Sequence, residues 1–150
     1  MPAKPNPSDG TLAQIAALPV RRAEDGSLRV LLLTSRETRR WVIPKGWPMK
    51  GLKDHEAAAQ EAREEAGIVG RIHKEPVGSY RYWKRRTAHF DLCTVRVYLL
   101  EVERQLKTWR EKGQREARWF TIDEAAALVD EPGLSDAIRR LPSGRPLPES

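Results

Sequence analysis

Gly46 to Ile68 reads GWPMKGLKDHEAAAQEAREEAGI, and the fold turns on how this stretch is understood. Its second half has the marks of a helix. Asp54 is an expected N-cap, Glu56 places an acid in the first turn and Gly67 supplies a C-terminal stop. Ala57, Ala58, Ala59, Ala62 and Ala66 give a strong helix former with a thin body that can lie close to other layers. The far end is unusual. Glu61 and Glu65 stand at i and i+4 on one face, with Glu64 beside them. Like charges at that spacing repel by roughly 0.2–0.5 kcal/mol per pair. They also crowd the negative pole of the helix, and no Lys or Arg stands four residues before any of them. Carboxylates gathered where electrostatics opposes them call for a cation. Hard oxygen donors in this number suit Mg²⁺ or Mn²⁺, which bind a few carboxylates together with substrate phosphates.

The stretch resembles the signature of the Nudix hydrolases, G-x5-E-x7-R-E-U-x-E-E-x-G-U with U aliphatic. Gly46, Glu61, Glu64, Glu65, Gly67 and Ile68 fall in register, with Ala62 at the small apolar position. Two positions depart from it, since Leu52 replaces the first Glu and Gln60 the Arg. A joint replacement leaves no uncompensated charge, so it touches loop geometry and metal number more than chemistry. The resemblance implies that Glu61, Glu64 and Glu65 are catalytic and hold metal.

Composition is consistent with that. The 150 residues suffice for one domain, 32% of them charged and 39% hydrophobic. A net charge of +6 and a pI near 9.8 suit a polyanionic partner: a phosphate-rich small molecule, nucleic acid or an anionic surface. Cys93 is the single cysteine, which excludes an intrachain disulfide and favours a cytoplasmic setting. MPAKPNPSDG has no apolar run of the secretory kind, and no segment has the apolar length to span a bilayer.

Taken in order, residues 1–10 form an expected flexible tail, 11–141 the domain and 142–150 a second tail. Strands are expected over 14–22 and 28–34, joined by a turn at Glu24-Asp25-Gly26, and over 41–43. A stiff loop then runs through Pro44, Gly46, Pro48 and Gly51. After the helix come strands over 69–74, 77–87 and 89–103, a loop over 106–113 and a short strand over 118–120. Thr121 caps a helix over 123–129, with Glu124 at the capping-box position. Pro132-Gly133 is read as a break, and Ser135 as the start of a last helix. These elements define an α+β fold, a mixed sheet between helices, which agrees with the Nudix-like α/β/α sandwich that the resemblance implies.

Other residues bear on the substrate. Tyr80 to Arg86, YRYWKRR, interleaves cations with aromatics. Strand alternation puts Arg81, Trp83 and Arg85 on one face and Tyr80, Tyr82, Lys84 and Arg86 on the other. Such a stripe can clamp phosphates or stack bases, or protect a sheet edge from aggregation. Trp41 to Gly46, WVIPKG, resembles the entry to the site in Nudix enzymes acting on diadenosine and diphosphoinositol polyphosphates. That implies a metal-ligating carbonyl and a phosphate-binding ammonium at Lys45. The segment from Gly113 to Ala125 resembles the closing part of the diphosphoinositol polyphosphate enzymes, with Glu116 the candidate for a further metal ligand. His55, His73 and His89 show no ligand spacing, and Cys93 reads as core. The expected function is a Mg²⁺-dependent pyrophosphohydrolase of a dinucleoside or diphosphoinositol polyphosphate. Lys45, Arg81, Lys84, Arg85 and Arg86 are its expected substrate contacts. Removal of pyrophosphate from RNA 5′ ends and a silent phosphate- or RNA-binding module are the alternatives, and oligomeric state is left open.

Overall fold

A parallel pairing between an early strand and a late one organises the sheet. The computed structural model describes residues 10–142 and residue 147. The two expected tails fall almost wholly outside them. Strand β1 (Leu12–Arg22) lies parallel to β7 (Phe90–Gln105), in register from Leu12 opposite Cys93 to Val20 opposite Glu101. Each long strand is shared by two antiparallel partners along its free edge. On β1 these are β2 (Leu28–Thr34), which meets it from Val20 to Arg22, and β4 (Lys45–Gly46), which meets Ile15 and Ala16. On β7 they are β5 (Ile68–Ile72) and β6 (Gly78–Arg85). The two-residue β3 (Trp41–Val42) and the later β8 (Ala117–Thr121) complete the sheet on β2.

Period-two alternation sorts the apolar residues into two cores. Ala16, Leu18 and Val20 of β1, with Val95, Val97 and Leu99 of β7, face α2 (Ile122–Leu128) and α3 (Pro132–Arg139), which contribute Ala125, Leu134 and Ile138. Ile15, Ala17, Leu31, Leu33 and Leu100 face α1 (Asp54–Ala66), whose Ala57, Ala58 and Ala62 are fully buried. The result is the expected α/β/α sandwich around a mixed sheet. Cys93 is buried in it, as its place on the strand predicts. No helix among the described residues is long and apolar enough to cross a membrane.

Three local readings need correction. The N-cap of α1 is Lys53, not Asp54, because Glu56 reaches back to accept from the Lys53 backbone N–H at 2.8 Å. Pro132-Gly133 does not break the chain but opens α3. Proline fits the first helical turn, where its missing N–H has no intrahelical partner. Lys45 and Gly46 are not free loop: they form β4, pinned to the centre of β1. At α2 the expected box is present, with Thr121 and Glu124 exchanging hydrogen bonds at 2.9 and 3.1 Å.

Candidate active site

The pairing of β4 with β1 sets the site. Gly46 stands opposite Ile15, on the face that α1 covers, and Lys45 stands opposite Ala16, on the other face. Consecutive residues therefore address the two layers. Above Gly46 lies the Glu61 carboxylate, so close that a β-carbon there would collide with it. The thin alanine face of α1 is what lets the helix settle to this depth. Its C-terminal turn is held from outside. Gly67 takes the left-handed conformation, φ 66°, and returns its N–H to the Arg63 carbonyl. Gln105 donates to the carbonyls of Ala66 and Gly67 at 2.9 and 2.8 Å, and the Glu111 N–H donates to the Glu64 carbonyl at 3.0 Å. The end of β7 and the segment after it thus satisfy the exposed end of the acidic helix.

Glu61 and Glu65 are hydrogen-bonded to each other, and Glu65 is only 6% exposed. Burial raises the proton affinity of both, and Glu65, donating to its neighbour, is pushed up to about 9. Arg115 opposes this. Its guanidinium lies 3.7 Å from Glu65 and 3.0 Å from Glu111. Glu64 turns aside to accept from the Gln60 amide at 2.7 Å and to meet Arg110 at 3.4 Å. Glu116 pairs with Arg118 at 3.2 Å, and its N–H donates to Thr34 Oγ1. Of the four acids expected from sequence, the structure brings Glu61 and Glu65 together, keeps Glu64 on their flank and leaves Glu116, just before β8, paired with Arg118. Glu111 is the acid that sequence reading missed. Its one sequence signal is the i, i+4 spacing to Arg115.

Among the described residues no three acidic, thiol or imidazole groups form a ready-made metal cage. The donors nevertheless fit a hard divalent cation. They are all carboxylate oxygens, two of them share a proton in a site shielded from water, and Gly46 gives them room. The histidines lie elsewhere: His73 is buried against Glu101 at 2.6 Å, and His89 meets Asp91 at 3.3 Å.

Beside the acids opens a cleft of about 420 Å³ between residues 35–40 and the outer end of β6. Its lining includes Arg36, Arg40, Lys45, Lys84, Arg85 and Arg115, against the single acid Glu37. Burial and the nearby Lys84 ammonium push the Lys45 amine down, and its Nζ lies 4.7 Å from the centre of the Tyr82 ring. Arg40 is tied to Asp130 and Glu131 at 3.1 and 3.0 Å. Arg86 pairs with Asp91 at 2.7 Å and stacks on Trp47, which Lys84 also approaches. Arg81, exposed on the opposite face of β6 from Tyr80 and Tyr82, is outside the cleft lining. Of the five cations expected to bind substrate, the cleft therefore takes Lys45, Lys84 and Arg85. It adds Arg36, Arg40 and Arg115 from other segments. Trp83 and Phe90, 63% and 59% exposed, stand at its mouth.

The model of the NUDIX domain family matches residues 12–141, and the chain belongs to that family. Nudix hydrolase 16, mitochondrial, of Arabidopsis thaliana is 34% identical over 117 residues, covering 74% of this chain and 63% of that protein. Diphosphoinositol polyphosphate phosphohydrolase 2 of Rattus norvegicus is 26% identical over 127 residues, 82% of this chain and 67% of the relative. The chain spans less than two thirds of the length of several of the plant relatives it resembles, 63% of Nudix hydrolase 16, 59% of Nudix hydrolase 13 and 52% of Nudix hydrolase 12. Among solved structures, the C. elegans Ap4A hydrolase binary complex superposes with a TM-score of 0.62 at 20% identity, covering 85% of this chain and 92% of that one. The NUDIX domain of Shewanella oneidensis NrtR complexed with ADP ribose gives 0.61 at 14% identity, covering 89% and 91%. These two likenesses establish the fold.

Proposed function

We propose that this chain is a Mg²⁺-dependent hydrolase of P–O–P linkages in a highly phosphorylated small molecule. One observation carries the reading: the buried Glu61–Glu65 pair adjoins a cleft lined by six cations and one acid. Glu61 and Glu65 hold the metal, Glu64 supports them, and the Lys45 carbonyl is the main-chain ligand the resemblance implies. Held there, Mg²⁺ or Mn²⁺ would supply charge neutralisation at the phosphate oxygens and raise the acidity of water. A carboxylate of the Glu61–Glu65 pair would accept the proton of the attacking water; closely coupled acids titrate as a group. Lys45, Lys84 and Arg85 bind the remaining phosphates through charge-assisted hydrogen bonds. The aromatic side chains Trp83 and Phe90 offer flat apolar faces to a base, which favours a dinucleoside polyphosphate over a diphosphoinositol polyphosphate. The lone, buried Cys93 suits a cytoplasmic setting.

The test is product formation resolved by anion-exchange chromatography, with and without Mg²⁺, across ADP-ribose, a nucleoside triphosphate, dinucleoside polyphosphates of rising phosphate number, a diphosphoinositol polyphosphate and 5′-triphosphate RNA. Catalytic efficiency should rise with phosphate number and exceed that for ADP-ribose by about tenfold or more. That corresponds to one well-formed charge-assisted contact of roughly 1.5–3 kcal/mol. Moderate salt should weaken the longest substrates most. ADP-ribose or a nucleoside triphosphate as the best substrate at every ionic strength refutes the polyphosphate reading. Binding without turnover on the whole panel leaves the silent module, and preference for the RNA end leaves that alternative.

A further inference from the structure

Arg115 is the side chain in which the two halves of the site meet. It is 13% exposed, although it belongs to the segment between β7 and β8 rather than to a core strand. Its Nε lies 3.0 Å from Glu111 Oε1, its Nη2 3.7 Å from Glu65 Oε1, and its Nη1 donates to the Thr34 carbonyl at 3.4 Å. The same guanidinium lines the basic cleft with Lys45 and Lys84. A guanidinium carries five N–H donors in a rigid fork, more than these contacts use. At 3.7 Å the contact with Glu65 is an ion pair and not a hydrogen bond. Arg115 therefore faces the charge of the Glu61–Glu65 pair without being locked to it.

A divalent cation drawn to Glu65 and its neighbours meets this guanidinium as a competitor for the same carboxylate charge. Two cations cannot both be best served by one carboxylate, whereas a phosphate in the cleft offers the displaced one a new partner. We propose that Arg115 exchanges partners. In the cation-free protein it is the counter-ion of the Glu61–Glu65 pair and of Glu111. Once a divalent cation takes over the Glu61–Glu65 pair, the guanidinium turns from it to grip a phosphate oxygen in the cleft. The inference rests on the reading above that these acids hold a divalent cation. It makes Arg115 a coupling residue between cation and phosphate, and such coupling is reciprocal: each ligand strengthens the binding of the other by the same factor.

A role limited to bracing residues 106–116 on β2 predicts something else. Loss of a brace loosens both binding functions together, whereas loss of an exchanging counter-ion moves them in opposite directions. The experiment titrates Mn²⁺ by electron paramagnetic resonance. It then titrates a methylene-bridged triphosphate, which has no cleavable P–O–P linkage, by calorimetry at saturating Mn²⁺ and in its absence. In Arg115→Gln, Mn²⁺ should bind at least about threefold more tightly, because a competing positive charge is gone. The triphosphate should bind on the order of tenfold more weakly in the presence of Mn²⁺. The gain that Mn²⁺ gives to triphosphate binding should shrink accordingly. Arg115→Lys keeps the charge but not the fork, so Mn²⁺ affinity should stay near wild type while triphosphate affinity falls severalfold. Should the Gln variant not fold, the Lys variant decides by the same criterion. Weakened Mn²⁺ binding in Arg115→Gln, or unchanged triphosphate affinity in either variant, overturns the exchange and leaves the functional reading standing. A wild-type protein that binds neither probe overturns both.

Discussion

Glu65→Gln is the perturbation that separates the metal reading most sharply from a structural one. Folding raises the proton affinity of Glu65 from the ordinary 4.5 to about 9, first through burial and then through the hydrogen bond to Glu61. Between those two values the folded chain holds a proton that the unfolded chain has released. The unfolded state therefore binds fewer protons, and stability falls as pH rises through that window by about 1.4 kcal/mol per unit. Up to pH 7.5 this amounts to about 4 kcal/mol for Glu65 acting alone. Glu61 shares the proton and Arg115 stabilises the ionised form, so about half of that, ~2 kcal/mol, is the better expectation. Glutamine keeps the shape and can still donate to Glu61, but it has no charge to desolvate. With divalent cations chelated at pH 7.5, Glu65→Gln should melt about 4–8 °C above wild type. Near pH 5 the difference should nearly vanish. Saturating Mg²⁺ should reverse the order, because the cation stabilises only the protein that binds it. Turnover should fall on the order of 10²-fold or more. A melting difference that ignores pH, or a variant with near wild-type turnover, refutes the assignment.

Two further outcomes follow from the same geometry. A methyl at Gly46 would collide with the Glu61 carboxylate, whose flexible side chain can move away at little cost to the fold. Gly46→Ala should therefore leave the melting temperature nearly unchanged while lowering Mn²⁺ affinity, and turnover by up to about 10²-fold. A large melting loss with unchanged Mn²⁺ affinity would show that Gly46 serves packing and not the site. At the departures from the family signature, Leu52→Glu alone should not raise activity, and Leu52→Glu with Gln60→Arg should be tolerated better than either single change. A double-mutant cycle in stability that shows no coupling contradicts a linked pair.

The central helix was legible because its signals are local. Alanine spacing set the buried face, and Gly67 set the end; both hold in the structure. The start was misread by one residue because two acids in the first turn, Asp54 and Glu56, can each supply capping chemistry, and only the backbone decides which reaches back. β4 was hidden for a different reason. Pro44 and Gly46 are loop formers by propensity, but Ile15 and Ala16 of β1 offer an edge that takes up the two-residue strand. The Gln60 departure also gained a meaning that sequence lacked, since its amide holds the Glu64 carboxylate at 2.7 Å.

The cations show why counting charge along one segment misleads. The basic run of β6 is longer than the cleft: Lys84 and Arg85, at the outer end of the strand, line it, and Arg81, three and four residues further back, does not. The shortfall is made up by residues 35–40 and by Arg115, segments brought together only by the sheet. Yet not all six cleft cations are equally available. Arg40 and Arg115 are held by acids at 3.0–3.1 Å and 3.0 Å, and Arg36 lies 4.0 Å from Glu111. Lys45, Lys84 and Arg85 have no ion pair among the described residues. Lys45 and Lys84 also repel each other across the cleft. Half-buried cations that repel and lack carboxylate partners are held at a cost, and an anion entering the cleft relieves both the burial and the repulsion. A pyrophosphate already balanced by divalent cations would leave that relief incomplete. Further phosphates complete it, which is the physical ground for expecting efficiency to climb with phosphate number.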